Sequence, residues 1–401
     1  MERAPMSDPM SKITDDILVD IISRVPYKST CCCKCVSTRW RDLFSHPDHR
    51  KKLPQPLAGF FYESYNRDRF PKTARYFTNV SGKGHPLVDP SLSFLPGYDS
   101  LHILDCCNGL LLCRCWKPTD PKTLDYVVCN PATENWVVVT ATDWSSKVVV
   151  ARIGFEPAVS SHFHVFEFID QEVWGIDQSE LSAYRGRIAA VATYSSKAGV
   201  WTHQMVEDEE FVIPAHSKGV FFNGIMHLAA FDYMVVTFDV KGNLLRVIGT
   251  PSPSYRYEFP VNDVFLSQGQ LYFSYGTDSE SDNGSETSSE SYSSDLLVWV
   301  LEDYSSEKWT LKHTVGHLQL FGDKFSGYPD YNVVSFHPER NMIFIVCGDE
   351  NSLMSYEMDF RKPRFLRRLG CECQLEYRKV DVKTPFIPYV PLFMESLADG
   401  P

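Results

Sequence analysis

The residues of this 401-residue chain that could do chemistry are its cysteines and a few histidines and aspartates. Cys31, Cys32, Cys33 and Cys35 crowd into five positions. Structural zinc needs Cys-x2–4-Cys pairs matched by a second, distant pair or by histidines. Cys113-x-Cys115 and Cys371-x-Cys373 are separated by one residue, which on a strand puts each pair on one face, far from the first cluster. These thiols read as packing groups, as do Cys106 and Cys107, and no metal is expected. His162 and His164 would place two imidazoles on one side of a strand, but the spacing offers no third ligand. Asp232, Asp239 and Asp263 could line a central channel if the chain forms a ring of sheets, although their spacing alone does not bring them together. There is no Gly-x-Ser-x-Gly, no phosphate-cradling glycine loop and no His-Glu-x-x-His. No catalytic residue and no cofactor is therefore expected.

Charge and hydropathy narrow the class. The formal charge is −12, from 39 Lys and Arg against 51 Asp and Glu, which argues against nucleic acid or an anionic membrane as the main partner. No stretch approaches the roughly 18 apolar residues of a membrane span. Met1 to Lys12 is polar and lacks the apolar run of a secretory signal. Clustered cysteines make a poor framework for distant bridges, so a reducing compartment, cytoplasm or nucleus, is expected.

Two kinds of element must position whatever function the chain has. Ile13, Ile17, Leu18, Ile21, Ile22 and Val25 mark one helical face, with Thr14 as N-cap, Asp15 and Asp16 in the first turn, and Ile13 and Leu18 as a hydrophobic staple. Pro26 closes it. Further short helices are expected over 28–35 and 36–44, giving a module too small to bury its own core well.

Beyond Pro54 the texture is short strands divided by Asn-Gly, Pro and Ser-rich turns. A weak repeat is visible five times, in stretches beginning at Asn108, ending at Trp201, beginning at Asn223 and Gln268, and around His337. Propeller blades of four strands run about 50 residues, so residues 57–393 suit about six blades, with five or seven as neighbouring solutions and a long β-sandwich as the alternative fold. The sixth blade would join early strands, Leu57–Tyr62 and Arg75–Val80, to a late one at Cys373–Val380 and so remove exposed edges. Trp136, Trp201 and Trp309 recur at matching positions and read as packing between repeats. Thr277 to Asp295 is different: eight serines, six acids and no Lys or Arg in 19 residues make it an expected disordered loop between two strands of one blade.

Ile13 to Pro26, followed by Lys34 to Arg41, resembles the F-box. Cys107 to Leu112, Asn130 to Trp136 and Phe386 to Pro391 are similar to the F-box-associated, kelch-like β-propeller of plant F-box proteins. The chain departs from that pattern at Ile13-Thr14, where the family usually has Leu-Pro, and at Cys31 to Cys33. The resemblance implies a flexible stretch over 1–10, a three-helix F-box over 11–50, and a propeller over 57–393 interrupted by the 277–295 loop. It implies a non-catalytic substrate receptor of an SCF-type ubiquitin ligase. Such a receptor docks a Skp-type adaptor and, through it, a cullin scaffold, while the propeller holds a target protein. Carried onto this sequence, the adaptor contacts are Ile13, Ile17, Ile21, Val25, Pro26, Val36 and Trp40, with Leu18 and Ile22 as the pair most suited to holding the helices together. The target-binding residues stay unknown, since non-repeating loops are better suited to recognition than repeated positions. The alternative is a propeller that binds protein or carbohydrate with no ligase role.

Overall fold

The computed structural model describes residues 13–25, 33, 36–46, 49, 57–65, 68, 73–119, 123–146, 148, 150–170, 187–206, 211–214, 217–252, 263–276, 295–321, 331–348, 351–370 and 386–392. Two N-terminal helices, α1 (Asp15–Ser23) and α2 (Thr38–Ser45), precede the strands. Thr14 takes the extended N-cap conformation of α1 without a side-chain cap bond, and Ile13 packs on the cluster that contains Leu18, as the staple requires. The Ser37 hydroxyl caps α2 by accepting from the Trp40 amide. The helix expected over 28–35 lies outside the described residues except for Cys33, which is helical.

The strands form six antiparallel sheets. Blade 1 holds β1 (Gly59–Tyr65), β2 (Thr73–Asn79) and the last strand, β23 (Ile387–Tyr389). Blade 2 is β3 (Ser100–Cys107), β4 (Leu110–Trp116), β5 (Leu124–Asn130) and β6 (Asn135–Thr140). Blade 3 is β7 (Val150–Phe155), β8 (Phe163–Asp170), β9 (Ile188–Ser195) and β10 (Val200–Met205). Blade 4 is β11 (Gly219–Phe222), β12 (Ile225–Ala230), β13 (Met234–Asp239) and β14 (Leu244–Gly249). Blade 5 is β15 (Val264–Ser267), β16 (Gln270–Gly276), β17 (Leu296–Asp303) and β18 (Lys308–Val315). A one-turn helix, α3 (His317–Phe321), leads to blade 6: β19 (Tyr331–Phe336), β20 (Met342–Cys347), β21 (Ser352–Glu357) and β22 (Lys362–Arg368).

The innermost strands β3, β7, β11, β15, β19 and β23 each contact the next, and β23 contacts β3, which closes a six-bladed propeller. The sixth blade does join early strands to a late one, but the late strand is Ile387–Tyr389. The expected Cys373–Val380 lies outside the described residues. Three residues suffice because the closing strand needs only to pair with Gly59 to Phe61.

Sequence explains the turns. Asn108-Gly109, Asn223-Gly224 and Gln268-Gly269 join the first two strands of blades 2, 4 and 5, and both residues of each turn have positive φ. That is the type I′ hairpin, whose twist matches the strands. Gly109 has a second reason: a Cβ there would meet the Leu392 side chain and, at 2.7 Å, the Val390 carbonyl oxygen.

The core is a ring of six apolar clusters, one between each pair of adjacent blades. Middle strands are buried throughout, as in β5, while outer strands alternate, as in β6. Trp201 serves this packing: its Nε1 donates to the Thr140 carbonyl of blade 2 at 2.7 Å. Trp309 packs on the cluster between blades 4 and 5, whereas Trp136 is more exposed, at 39%. His227 couples the same two blades. Its Nδ1 lies 3.1 Å from the Val220 carbonyl, which can only accept, so Nε2 accepts from the Tyr304 hydroxyl at 2.9 Å. Burial lowers its pKa to about 4.

Two outcomes are expected. Tyr389 is fully buried, with its ring 5.4 Å from Phe61 and 6.1 Å from Phe77. Tyr389→Ala should cost about 3–5 kcal/mol in urea unfolding, against about 0.5 kcal/mol or less for Phe365→Ala on the exposed β22. Because folded His227 protonates at a lower pH than the unfolded ring, its stabilising effect is full above about pH 6.5 and falls as pH drops toward 4. Between pH 7 and pH 5 wild type should lose about 2 kcal/mol more than His227→Gln. Equal losses would mean that His227 is not held neutral.

Candidate functional site

The helical module separates its apolar residues into two sets. Leu18, Val19, Ile22 and Leu43 are almost wholly buried and form its small core, with Ile13, Cys33 and Trp40 packed against them. Ile17 and Ile21 are 55% and 48% exposed, and Val36 is 63% exposed. Ile17 and Ile21 are four residues apart, so they share a face of α1. Arg39 of α2 ties the two helices: its Nη2 and Nε donate to the Asp15 carboxylate at 2.7 and 3.0 Å, and Nη2 donates to the Ile13 carbonyl at 2.6 Å. This fixes the start of α1 and leaves its Ile17/Ile21 face turned to solvent.

The seven residues expected at the adaptor contact therefore divide. Ile17, Ile21 and Val36 are exposed; Ile13, Val25 and Trp40 are half-buried; Pro26 lies outside the described residues. Leu18 and Ile22 hold the helices together.

The second concave feature is the central channel, a cavity of about 370 Å³ walled by the innermost strands. Its charged side chains link one blade to another. The Asp105 carboxylate accepts from the Ile153 and Cys106 amides, each at 2.9 Å. Arg152 donates through Nε to the Ser217 carbonyl at 2.9 Å, and Nη2 reaches the same oxygen. Lys218 Nζ donates to the Val334 carbonyl at 2.7 Å and stands 3.5 Å from the Asp263 carboxylate. Glu63 and His102 face each other at 3.8 Å. Burial is the main influence on Asp105, Arg152 and Lys218. It raises the pKa of Asp105 against the pull of Arg152, and lowers those of Arg152 and Lys218 against Asp105 and Asp263 respectively. Arg152 spends its donors on a carbonyl of the next blade and Lys218 reaches across the channel to one of blade 6, so the channel's polar chemistry clasps the inner strands.

Of the three aspartates considered for the channel, only Asp263 reaches a lining residue, its pair Lys218. Asp232 precedes β13 and Asp239 ends it, where the Asp239 carboxylate accepts from the Lys241 and Asn243 amides of its own turn. Cys113, Cys115 and Cys129 are buried between blades 1 and 2. Its hydrogen bond to Cys129, then burial, pushes the Cys113 thiol far up, and burial pushes the Cys107 thiol to about 12. Among the described residues no three His, Cys, Asp or Glu side chains are grouped to hold a metal. Spacing could not reveal the channel set, but one signal was available: Arg152 is a lone cation in the otherwise apolar, wholly buried β7.

Leu18→Ala or Ile22→Ala should destabilise the helical module by about 2–4 kcal/mol, read as lost helical signal on heating. Ile21→Asp, on the open face, should leave that signal nearly unchanged. An equal loss from Ile21→Asp would place Ile21 in the module's core.

A family model described as the F-box domain matches residues 10–52, and one described as the F-box associated beta propeller domain matches residues 83–391. The chain is 27% identical over 364 residues to F-box protein At5g07610 of Arabidopsis thaliana, covering 85% of this chain and 79% of that protein. It is 23% identical over 374 residues to the putative F-box protein At5g52610 of the same plant, covering 86% and 92%. It is 24% identical over 332 residues to the F-box/kelch-repeat protein At4g19930, also of Arabidopsis thaliana, covering 77% and 71%.

Proposed function

Because the chain belongs to the family of F-box proteins with an F-box-associated β-propeller, we propose that it is a substrate receptor of an SCF-type ubiquitin ligase. In this reading α1 and α2 dock a Skp-type adaptor, which connects to a cullin scaffold, and the propeller holds a target protein. The receptor performs no bond-making step. Its contribution is proximity, which turns a bimolecular encounter of target lysine and charged enzyme into transfer within one assembly. A cytoplasmic or nuclear setting fits; among the described residues no helix is long and apolar enough to cross a membrane.

The observation that carries this reading is the Ile17/Ile21 face. Two large aliphatic side chains stand open to solvent on a helix whose opposite side is already packed. Adjacent exposed aliphatic groups on a small module serve as anchors for a partner. Val36 is a third exposed anchor just before α2, and Ile13, Val25, Pro26 and Trp40 complete the proposed contact.

Propeller topology supports a division of labour between its rims. Gly59, where the helical module's chain enters β1, pairs with Tyr389, the end of β23. Leu392, just beyond, accepts from Asn130 at 2.8 Å and adjoins the Asn108-Gly109 turn, so the tight hairpins lie on this entry rim. On the opposite rim stand the strand ends Asp170 and Ile188, Met205 and Gly219, Gly249 and Val264, Gly276 and Leu296, Val315 and Tyr331, and Arg368 and Ile387, between which 13 to 19 residues of chain run. We assign target capture to that rim, where chain length leaves sequence free to vary.

Co-purification with a Skp-type adaptor tests the docking half. Wild type should form a complex that Ile17→Asp and Ile21→Asp each weaken by about tenfold or more, with the strand circular dichroism unchanged. Trp40→Ala is a less selective probe because Trp40 also packs on the module's core. Absence of a wild-type complex from folded protein would overturn the receptor reading.

A further inference from the structure

We infer that β22, the outermost strand of blade 6, is a docking surface for an acidic segment of a partner protein. Arg361, Lys362, Arg364, Arg367 and Arg368 put five cations in eight consecutive residues of a chain whose net charge is −12. All five are exposed, as are Phe360 at 74% and Phe365 at 55%. Strand pairing sorts the side chains. Lys362, Arg364 and Arg367 lie opposite Glu357, Ser355 and Leu353, which places the three cations on one face of the sheet. Phe365 and Arg368, opposite Met354 and Ser352, belong to the other face.

Glu357 is the only acid of β21, and no described carboxylate forms an ion pair with Lys362, Arg364 or Arg367.

Charge on an edge strand has a simpler use, which is to block pairing with another edge, and Pro363 serves that end too. Edge protection would apply to every blade. Yet the outermost described strands of the other blades carry few Lys or Arg: none on β6 or β10, Arg75 on β2, Arg246 on β14, and Lys308 and Lys312 on β18. The concentration on blade 6 therefore calls for a partner. A row of one ammonium and two guanidinium groups, with the exposed Phe360 in the turn just before it, suits carboxylates or phosphoserines. Nucleic acid fits less well, since eight residues of basic strand sit on a strongly acidic molecule. The inference rests on the receptor reading for what the partner is for, but not for whether it binds.

The test is fluorescence anisotropy of a fluorescein-labelled dodecapeptide of alternating Glu and Ser, titrated with the full chain and no adaptor. Saturable binding is expected, weakening as salt rises. The double variant Arg364→Glu/Arg367→Glu should weaken it by about tenfold or more, and Arg364→Gln/Arg367→Gln by less. Lys308→Glu on β18 should change nothing, and all variants should melt with wild type. No binding, or equal binding by the charge-reversed variant, would overturn the inference. So would tighter binding of an oligothymidylate of the same length. Peptide binding that emerges only after deletion of 277–294 would assign the strand to the chain's own acidic segment and would also overturn it. Because the assay omits the adaptor, its failure is separable from failure of adaptor docking.

Discussion

Hydrogen bonds between Gly59–Phe61 and Ile387–Tyr389 join the two ends of the β region into one sheet. Each of the other five sheets is a local meander that could form within its own stretch of chain. Blade 1 is the exception, since its innermost strand comes from the far end of the sequence. Pairing so distant is costly in loop-closure entropy. The packing of Tyr389 among Phe61 and Phe77, and the burial of Phe386 and Leu392 on either side of the strand, offset that cost. With β23 in place the cluster between blades 1 and 2 and the cluster between blades 6 and 1 are both complete.

The closed ring also explains where charge is tolerated. Asp105, Arg152 and Lys218 sit where burial disfavours the ionised form, yet each reaches a partner on an adjoining blade. Removing one member of such a set leaves another buried and unsatisfied, so single losses there are destabilising. A scaffold fixed in this way holds its rims steady. A receptor needs that quality, because it has to present one protein to another at a defined separation.

Much of this was legible in the sequence, for physical reasons that differ by element. The Asn-Gly turns, the strand-sized apolar runs and the recurrent tryptophans each report a local requirement, and together they gave five blades directly. The α1 face was legible because Ile17 and Ile21 share a spacing that only a helix turns into adjacency. The closing strand Ile387–Tyr389 left no strand-sized signal because it is only three residues long, while Cys373–Val380, the strand expected there, lies outside the described residues. The short helix α3 left no periodic signal, being a single turn secured by burial of Leu320 and Phe321. The channel charges and the basic outer strand were present as residues but had no visible partners. Their meaning depends on which blades the ring makes neighbours, and that is set by tertiary closure.

Hydrogen–deuterium exchange of the full chain, with and without a Skp-type adaptor, addresses the division of roles most directly. Adaptor binding should slow exchange of amides in α1 and α2, most of all around Ile17, Ile21 and Val36, and leave the propeller strands unchanged. Protection spread across the blades, or none in the helices of a chain that still binds the adaptor, would contradict a receptor in which the helical module docks and the propeller is kept free for its target.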